Sequence, residues 1–343
     1  MLKRIAAGMV IICVLFFAVG CGNPVTAIRD WIRGGEEAEQ TVETDTGLQD
    51  VGEEPGSRPG ARMRDTVLYY RDDLGYLVPV SVDIEWEEGI ARAALQRLIS
   101  DDKNSEIAQR AGLYSAIPGG TNVLGLTIRD GLAKVDLSAE ALSCGSAEEE
   151  ELMLKSVAYT LTEFNTVDRV QFMFEGDTME NLQFGSCVGG PVLRERINTV
   201  GDGAGPGVTV YFYRINEKDH KYFVPVTLNT GTAGIDMDVA VKCLLEGPPT
   251  GSDLRSDIPD GVRINGMGVK NGIAYLNFGK GIFDYQGSDS VGENIVRSIA
   301  LTLKEYPSIT GVVFLTDGEP ASLPSGLVLE SAIDVPVFAN EYN

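Results

Sequence analysis

The residues that could carry chemistry are few and scattered. The sequence has one histidine, His220, within the polar run NEKDHK. A serine or cysteine nucleophile needs a base beside it and a third group to orient that base. His220 sits between two β-rich runs, in what reads as a hairpin turn, so a histidine-dependent hydrolase is disfavoured. Carboxylates are plentiful, and a hydrolase working through paired acids stays open on counting alone. The densest acidic run, Glu148 to Glu151, opens an amphipathic segment, where the helix dipole favours negative charge. The stretch around Asp45 lacks the full ligand ladder and closing glutamate of a calcium loop. GAGPG at 203–207 has no Lys-Ser/Thr after it and reads as a link, not a phosphate loop. No catalytic, cofactor-binding or metal-ligating residue is assigned.

Five cysteines remain to be placed. Cys13 lies in an apolar leader and Cys21 at its end. Cys243 flanks a helical core stripe and is expected to be a small buried residue. Cys144 and Cys187 could pair outside the cytoplasm, but nothing in the sequence fixes their separation.

The elements that position these residues come in two copies. TLTEFNTVDRVQFMFEGDT at 160–178 returns as TLKEYPSITGVVFLTDGEP at 302–320, 142 residues later. LYYRDDLGYLVPVSV (68–82) answers YFYRINEKDHKYFVPVTL (211–228), each reading as a hairpin, with a loop three residues longer in the second copy. A first amphipathic helix follows, with Ala91, Ala94, Leu95 and Leu98 matched by Met237, Ala240, Val241 and Leu244. Asp130-Gly131 and Asn271-Gly272 are type I′ turn dipeptides. Their flanking strands are expected to bury Leu124, Leu126 and Ile128, then Ala133, Val135 and Leu137, with Ala274, Leu276 and Phe278 in the second copy. The repeated phrase encodes a second helix and a strand. Its stripe is Leu154, Val157, Ala158, Leu161 and Phe164 in one copy, and Val296, Ile299, Ala300, Leu303 and Tyr306 in the other. Each copy thus reads strand-strand-helix-strand-strand-helix-strand. The fold class is α+β: two tandem similar domains, each a small mixed sheet covered by two helices. The divisions are 64–197, a linker at 198–207, and 208–343. So short a link predicts that the domains pack together, with 327–340 as a closing strand of the second domain or of the shared interface.

With 343 residues, 43% hydrophobic, the chain can bury a sizeable core, while a net charge of -22 argues against nucleic acid as a partner. Residues 1–20 read as a secretory signal, with Lys3 and Arg4 before an apolar run too short to span a bilayer. AVGC at 18–21 resembles the bacterial lipobox, although Ala18 stands where leucine is usual. Cys21 is then the lipid attachment site, carrying palmitate-type chains, and two chains give stable anchoring. Residues 21–63 are acidic and poor in large apolar groups, as expected of a disordered tether spanning on the order of 35 Å. The mature chain is expected at the extracytoplasmic face of the cell membrane.

IPGGTNVLGLTIRDGLAKVDLS, GSAEEE and TLTEFNTVDRVQFMFEG, with IPDG, VKNGIAYLNF and TLKEYPSITGVVFLTDG in the second copy, resemble the GerM family of sporulation and spore germination lipoproteins. That resemblance implies a ring-building-like fold, and the missing catalytic set reads as no enzyme and no cofactor. It implies a structural or assembly role in an envelope-spanning, channel-type complex at the membrane around the forespore, with that complex's proteins as partners. A wall-glycan or peptide binding module and a carboxylate-dependent envelope hydrolase remain the alternatives.

Overall fold

Two hairpins with no sheet of their own beyond two strands begin the two halves of the computed structural model, which describes residues 63–85, 89–99, 105–194, 196–200, 205–230 and 236–341. The leader, Cys21 and the acidic segment up to residue 62 lie outside the described residues. In the first half, β1 (Met63–Arg71) and β2 (Leu77–Glu85) pair antiparallel. Helices α1 (Ile90–Leu98) and α2 (Ser105–Arg110) follow, then β3 (Val123–Arg129), β4 (Gly131–Leu137), α3 (Ala147–Thr162), β5 (Val167–Phe174) and β6 (Val192–Leu193). The second half repeats the order, without a counterpart of α2 among the described residues, with β7 (Gly207–Ile215), β8 (Lys221–Asn229), α4 (Met237–Leu245), β9 (Ile264–Lys270), β10 (Ile273–Phe278), α5 (Asp289–Lys304) and β11 (Gly311–Thr316). Short strands β12 (Glu319–Pro320) and β13 (Ile333–Asp334) complete it.

Each sheet is mixed. β3 and β4 are antiparallel and β4 and β5 parallel, as are β9 and β10 and then β10 and β11. The parallel pairs are joined by α3 and α5, whose apolar stripes face the core: Leu154, Val157, Ala158 and Leu161 are buried, as are Ile299, Ala300 and Leu303. α3 packs against both β1 and β5, so it lies between the hairpin and the sheet. Its small polar residues serve the hairpin: Thr160 Oγ1 accepts from the Tyr69 N–H at 3.1 Å, and Ser156 Oγ donates to the Tyr69 carbonyl at 2.6 Å. Thr302 of α5 accepts from Tyr211 in the same way, at 3.0 Å. The two-residue turns have the expected backbone, with φ of 50° and 75° at Asp130-Gly131 and 51° and 80° at Asn271-Gly272.

Three details depart from the sequence reading. Leu124 and Ile128 are exposed, while Val123 is buried. Val123 pairs with Leu137 but Gly125 with Asp136, so Leu124 is the extra residue of a β-bulge and the inward alternation slips to Val123. Ile128 faces the same way as buried Ala133 but lies on the sheet's edge strand. Second, Tyr69 pairs with Pro79 and Tyr211 with Pro225, so the second hairpin is four residues longer, not three. The extra residues extend its strands by the pairs Arg214–Tyr222 and Ile215–Lys221, while the loops, 72–76 and 216–220, are equal in length. Third, Cys243 is only half-buried, while Cys144 is buried, Cys187 exposed, and all three are free thiols. Burial pushes the Cys144 thiol up to about 11.

Candidate functional site

The two hairpins meet, and their meeting gathers several buried polar residues, among them Asp72, Arg214 and Asn340. A hairpin with only two strands leaves outward backbone groups that need partners. On β1, Arg71 exchanges two hydrogen bonds with Tyr114, and on β7, Tyr213 does the same with Arg255. On the other side of each hairpin an asparagine side chain supplies partners beside the backbone bonds of its tail. Asn198 Oδ1 accepts from the Leu77 N–H at 2.7 Å, while its amide donates to the carbonyls of Leu77 and, in the other domain, Pro225. Asn340 Oδ1 accepts from the Phe223 N–H at 2.7 Å and its amide donates to the carbonyls of Phe223 and, across the joint, Pro79. Each domain's tail therefore crosses to the other's hairpin. Val200 bridges to Leu228 and Glu341 to Ser81, both in parallel.

At the centre lies a buried charge cluster. Arg214 Nη1 donates to Asp72 Oδ2 at 3.0 Å and to Asp73 Oδ1 at 2.5 Å, and its Nε reaches Asp253 at 3.0 Å. Arg214 is 3% exposed and Asp72 0%. Asp72 is held in place by the N–H groups of Leu74 and Tyr76 and by the Tyr222 hydroxyl. Burial pushes its carboxyl up, against those bonds and Arg214, whereas the Arg214 hydrogen bond pulls Asp73 down. Burial also opposes the charge on Arg214, but its aspartates prevail and hold the guanidinium protonated.

Beside the cluster runs a narrow cleft between the domains. The Tyr69 hydroxyl donates to Glu163 at 2.8 Å, and Arg194 donates to both that carboxylate and that hydroxyl. Across the cleft the Tyr211 hydroxyl donates to Glu305 at 2.9 Å. Protein crowded around the Glu305 carboxyl pushes its pKa up even though the residue's flank touches solvent. Burial lifts both phenols well above their usual range. Each carboxylate of the cleft already accepts from a tyrosine of its own domain, which ties the hairpin to the end of its long helix.

His220 does occupy the hairpin loop, but it is half-buried against Gly112 of the other domain, with its Nδ1 buried and unpartnered. Glu148, Glu149 and Glu150 open α3. Glu149 forms a capping arrangement, its N–H bonding to Ser146 Oγ and its carboxylate accepting from Gly145. Glu150 turns inward, 2% exposed, and accepts from the N–H groups of Phe184 and Ser186. Cys21 lies outside the described residues. The residues of the joint, Asp72, Arg214, Asn198 and Asn340, were not singled out by sequence. The signal that marks them is spacing: Asp72 and Arg214, like Asn198 and Asn340, are 142 positions apart, the period of the repeat.

A family model described as Germane, sporulation and spore germination, matches residues 67–180 and 209–322. The spore germination protein GerM of Bacillus subtilis (strain 168) is 27% identical over 324 residues, covering 90% of this chain and 87% of that protein. The solved structure of the tandem GerMN domains of the sporulation protein GerM from Bacillus subtilis matches with a TM-score of 0.69 at 28% identity, over 81% of this chain and 99% of that one. That second match spans both domains, so it carries their relative placement as well as their fold. The chain belongs to the Germane family of sporulation and spore germination proteins, and it carries the family's domain twice.

Proposed function

We propose that this chain acts in sporulation or germination as an assembly factor, anchored by lipid on Cys21 at the extracytoplasmic face of the membrane around the forespore. It works by contact with the proteins of an envelope-spanning, channel-type complex, and not by turnover. One observation carries this reading: β3 and β9, equivalent strands of the two domains, each end their sheet with a partner on one side only among the described strands. They present Leu124, Ile128 and Val269 to solvent. Such edges offer backbone groups that another chain can extend. Pull-down of the full-length protein from sporulating cells tests it. Envelope proteins should come down with the wild type and be lost with Leu124→Lys/Ile128→Lys. Cys21→Ala should move the protein out of the membrane fraction. Equal recovery with the edge variant would refute the reading.

A second reading, binding of a wall glycan or peptide, is supported by a cavity of about 810 Å³ in the first domain, lined by Arg71, Arg97, Glu148 and exposed Tyr114. Titration with soluble wall fragments decides it: saturable binding that is lost in Tyr114→Ala would favour this reading over the first.

A further inference from the structure

Tyr69 and Tyr211 take the same bonds from their helices, and Arg71 and Tyr213 make the same backbone bridges, to Tyr114 and Arg255. One residue further on, Asp72 and Arg214 are therefore equivalent positions, and they touch each other at 3.0 Å. A contact between equivalent positions lies on the local two-fold axis relating the domains. Around that axis the bonds come in like pairs, Asn198 answering Asn340 and the Pro225 carbonyl answering that of Pro79. On the axis itself the two domains differ in the sign of their charge.

That difference decides which domains can meet. Two first domains joined about this axis would bring Asp72 against Asp72, with Asp73 beside each. Two second domains would bring Arg214 against Arg214. Either places like charges in a site where the present residues are 0% and 3% exposed, out of reach of screening by solvent. Within its own domain Asp72 accepts from the N–H groups of Leu74 and Tyr76, while the hydroxyl of Tyr222 reaches it from the other hairpin together with Arg214. Its own loop thus fixes its position before the arginine arrives. We propose that Asp72 and Arg214 form a discriminator that lets a first domain pair with a second domain and bars it from pairing with another copy of itself. The partner fitted to the first domain's hairpin face is a domain of the same family with arginine at this position.

The test uses the folded full-length chain, given a protease site within 201–204 and cut after folding. Cut wild-type halves should stay together on gel filtration. When mixed with a tagged copy, tagged first halves should capture untagged second halves and no first halves. Asp72→Arg should weaken the association of the halves at least ~100-fold, and adding Arg214→Asp to it should restore association to within about tenfold of wild type. Mixing cut D72R with cut R214D should join the first half of one to the second half of the other. Capture of first halves by first halves in the wild type, undiminished association in D72R, or failure of the charge-swapped double variant to associate would each overturn the proposal.

Discussion

Asn340→Ala removes three hydrogen bonds from a buried place. The residue is 6% exposed, and its side chain accepts from the Phe223 N–H while donating to the Phe223 and Pro79 carbonyls. An orphaned buried N–H costs about 1–3 kcal/mol, and a carbonyl that keeps a spare lone pair costs less. Adding the loss of the bridge between domains, the variant should lose about 3 kcal/mol. At roughly 2–4 °C per kcal/mol for a chain of this size, the melting temperature should fall by about 6–12 °C. Asn340→Asp is the sharper control. A carboxylate can still accept from Phe223 but faces two carbonyls it cannot satisfy, so it should be at least as destabilised as the alanine variant. Thermal and urea unfolding followed by circular dichroism, with the domains unfolding together in the wild type, provide the measurement. An alanine variant within about 1 kcal/mol of wild type would show that the asparagine does not hold the joint, and the account of the crossed tails would fail.

Glu150→Ala strands the N–H groups of Phe184 and Ser186 and should cost about 2 kcal/mol in urea unfolding. Gly272→Ala should cost about 1–2 kcal/mol, because its φ is +80° and a Cβ would come within 3.0 Å of Thr310 Oγ1. Gly268→Ala, with nothing within 4 Å, should stay within about 0.5 kcal/mol of wild type. Asp73 is held below its ordinary value of 3.8 by Arg214, so its contribution is present above that pH and disappears as pH falls through the lower folded value. The stability of Asp73→Asn should accordingly fall less steeply than wild type below about pH 4, and parallel acid limbs would contradict the assignment.

The two-fold architecture was legible because turn chemistry and helical stripes are local signals. Asp130-Gly131 takes left-handed backbone because the turn needs it, and Leu161 is buried because its stripe repeats every three to four residues. Leu124 misled because a bulge adds one residue to a strand without changing its composition, and one added residue reverses which side chain points inward. The hairpins misled in another way. Tyr-Arg occurs at 70–71 and at 213–214, and matching those letters slides the copies by one, which hides the equivalence of Asp72 and Arg214. Asn198 stood in what read as a linker, since its bonds to Leu77 span 121 residues and leave no mark on its neighbours. Local patterns carried the domains, and only their assembled surfaces reveal the joint.

The crossed tails also set an order in time. Asn340 bonds to Pro79 across 261 residues of chain, against the 27 that separate Asn198 from Pro225. Contacts so distant in sequence form late and slowly, since the entropy lost in closing a loop grows with its length. The first tail, at Asn198, can dock as soon as the second hairpin exists, whereas the tail at Asn340 follows the whole second domain. A chain cut before Ala339 therefore keeps the bonds of Asn198 and loses those of Asn340, so the joint is held from one side only.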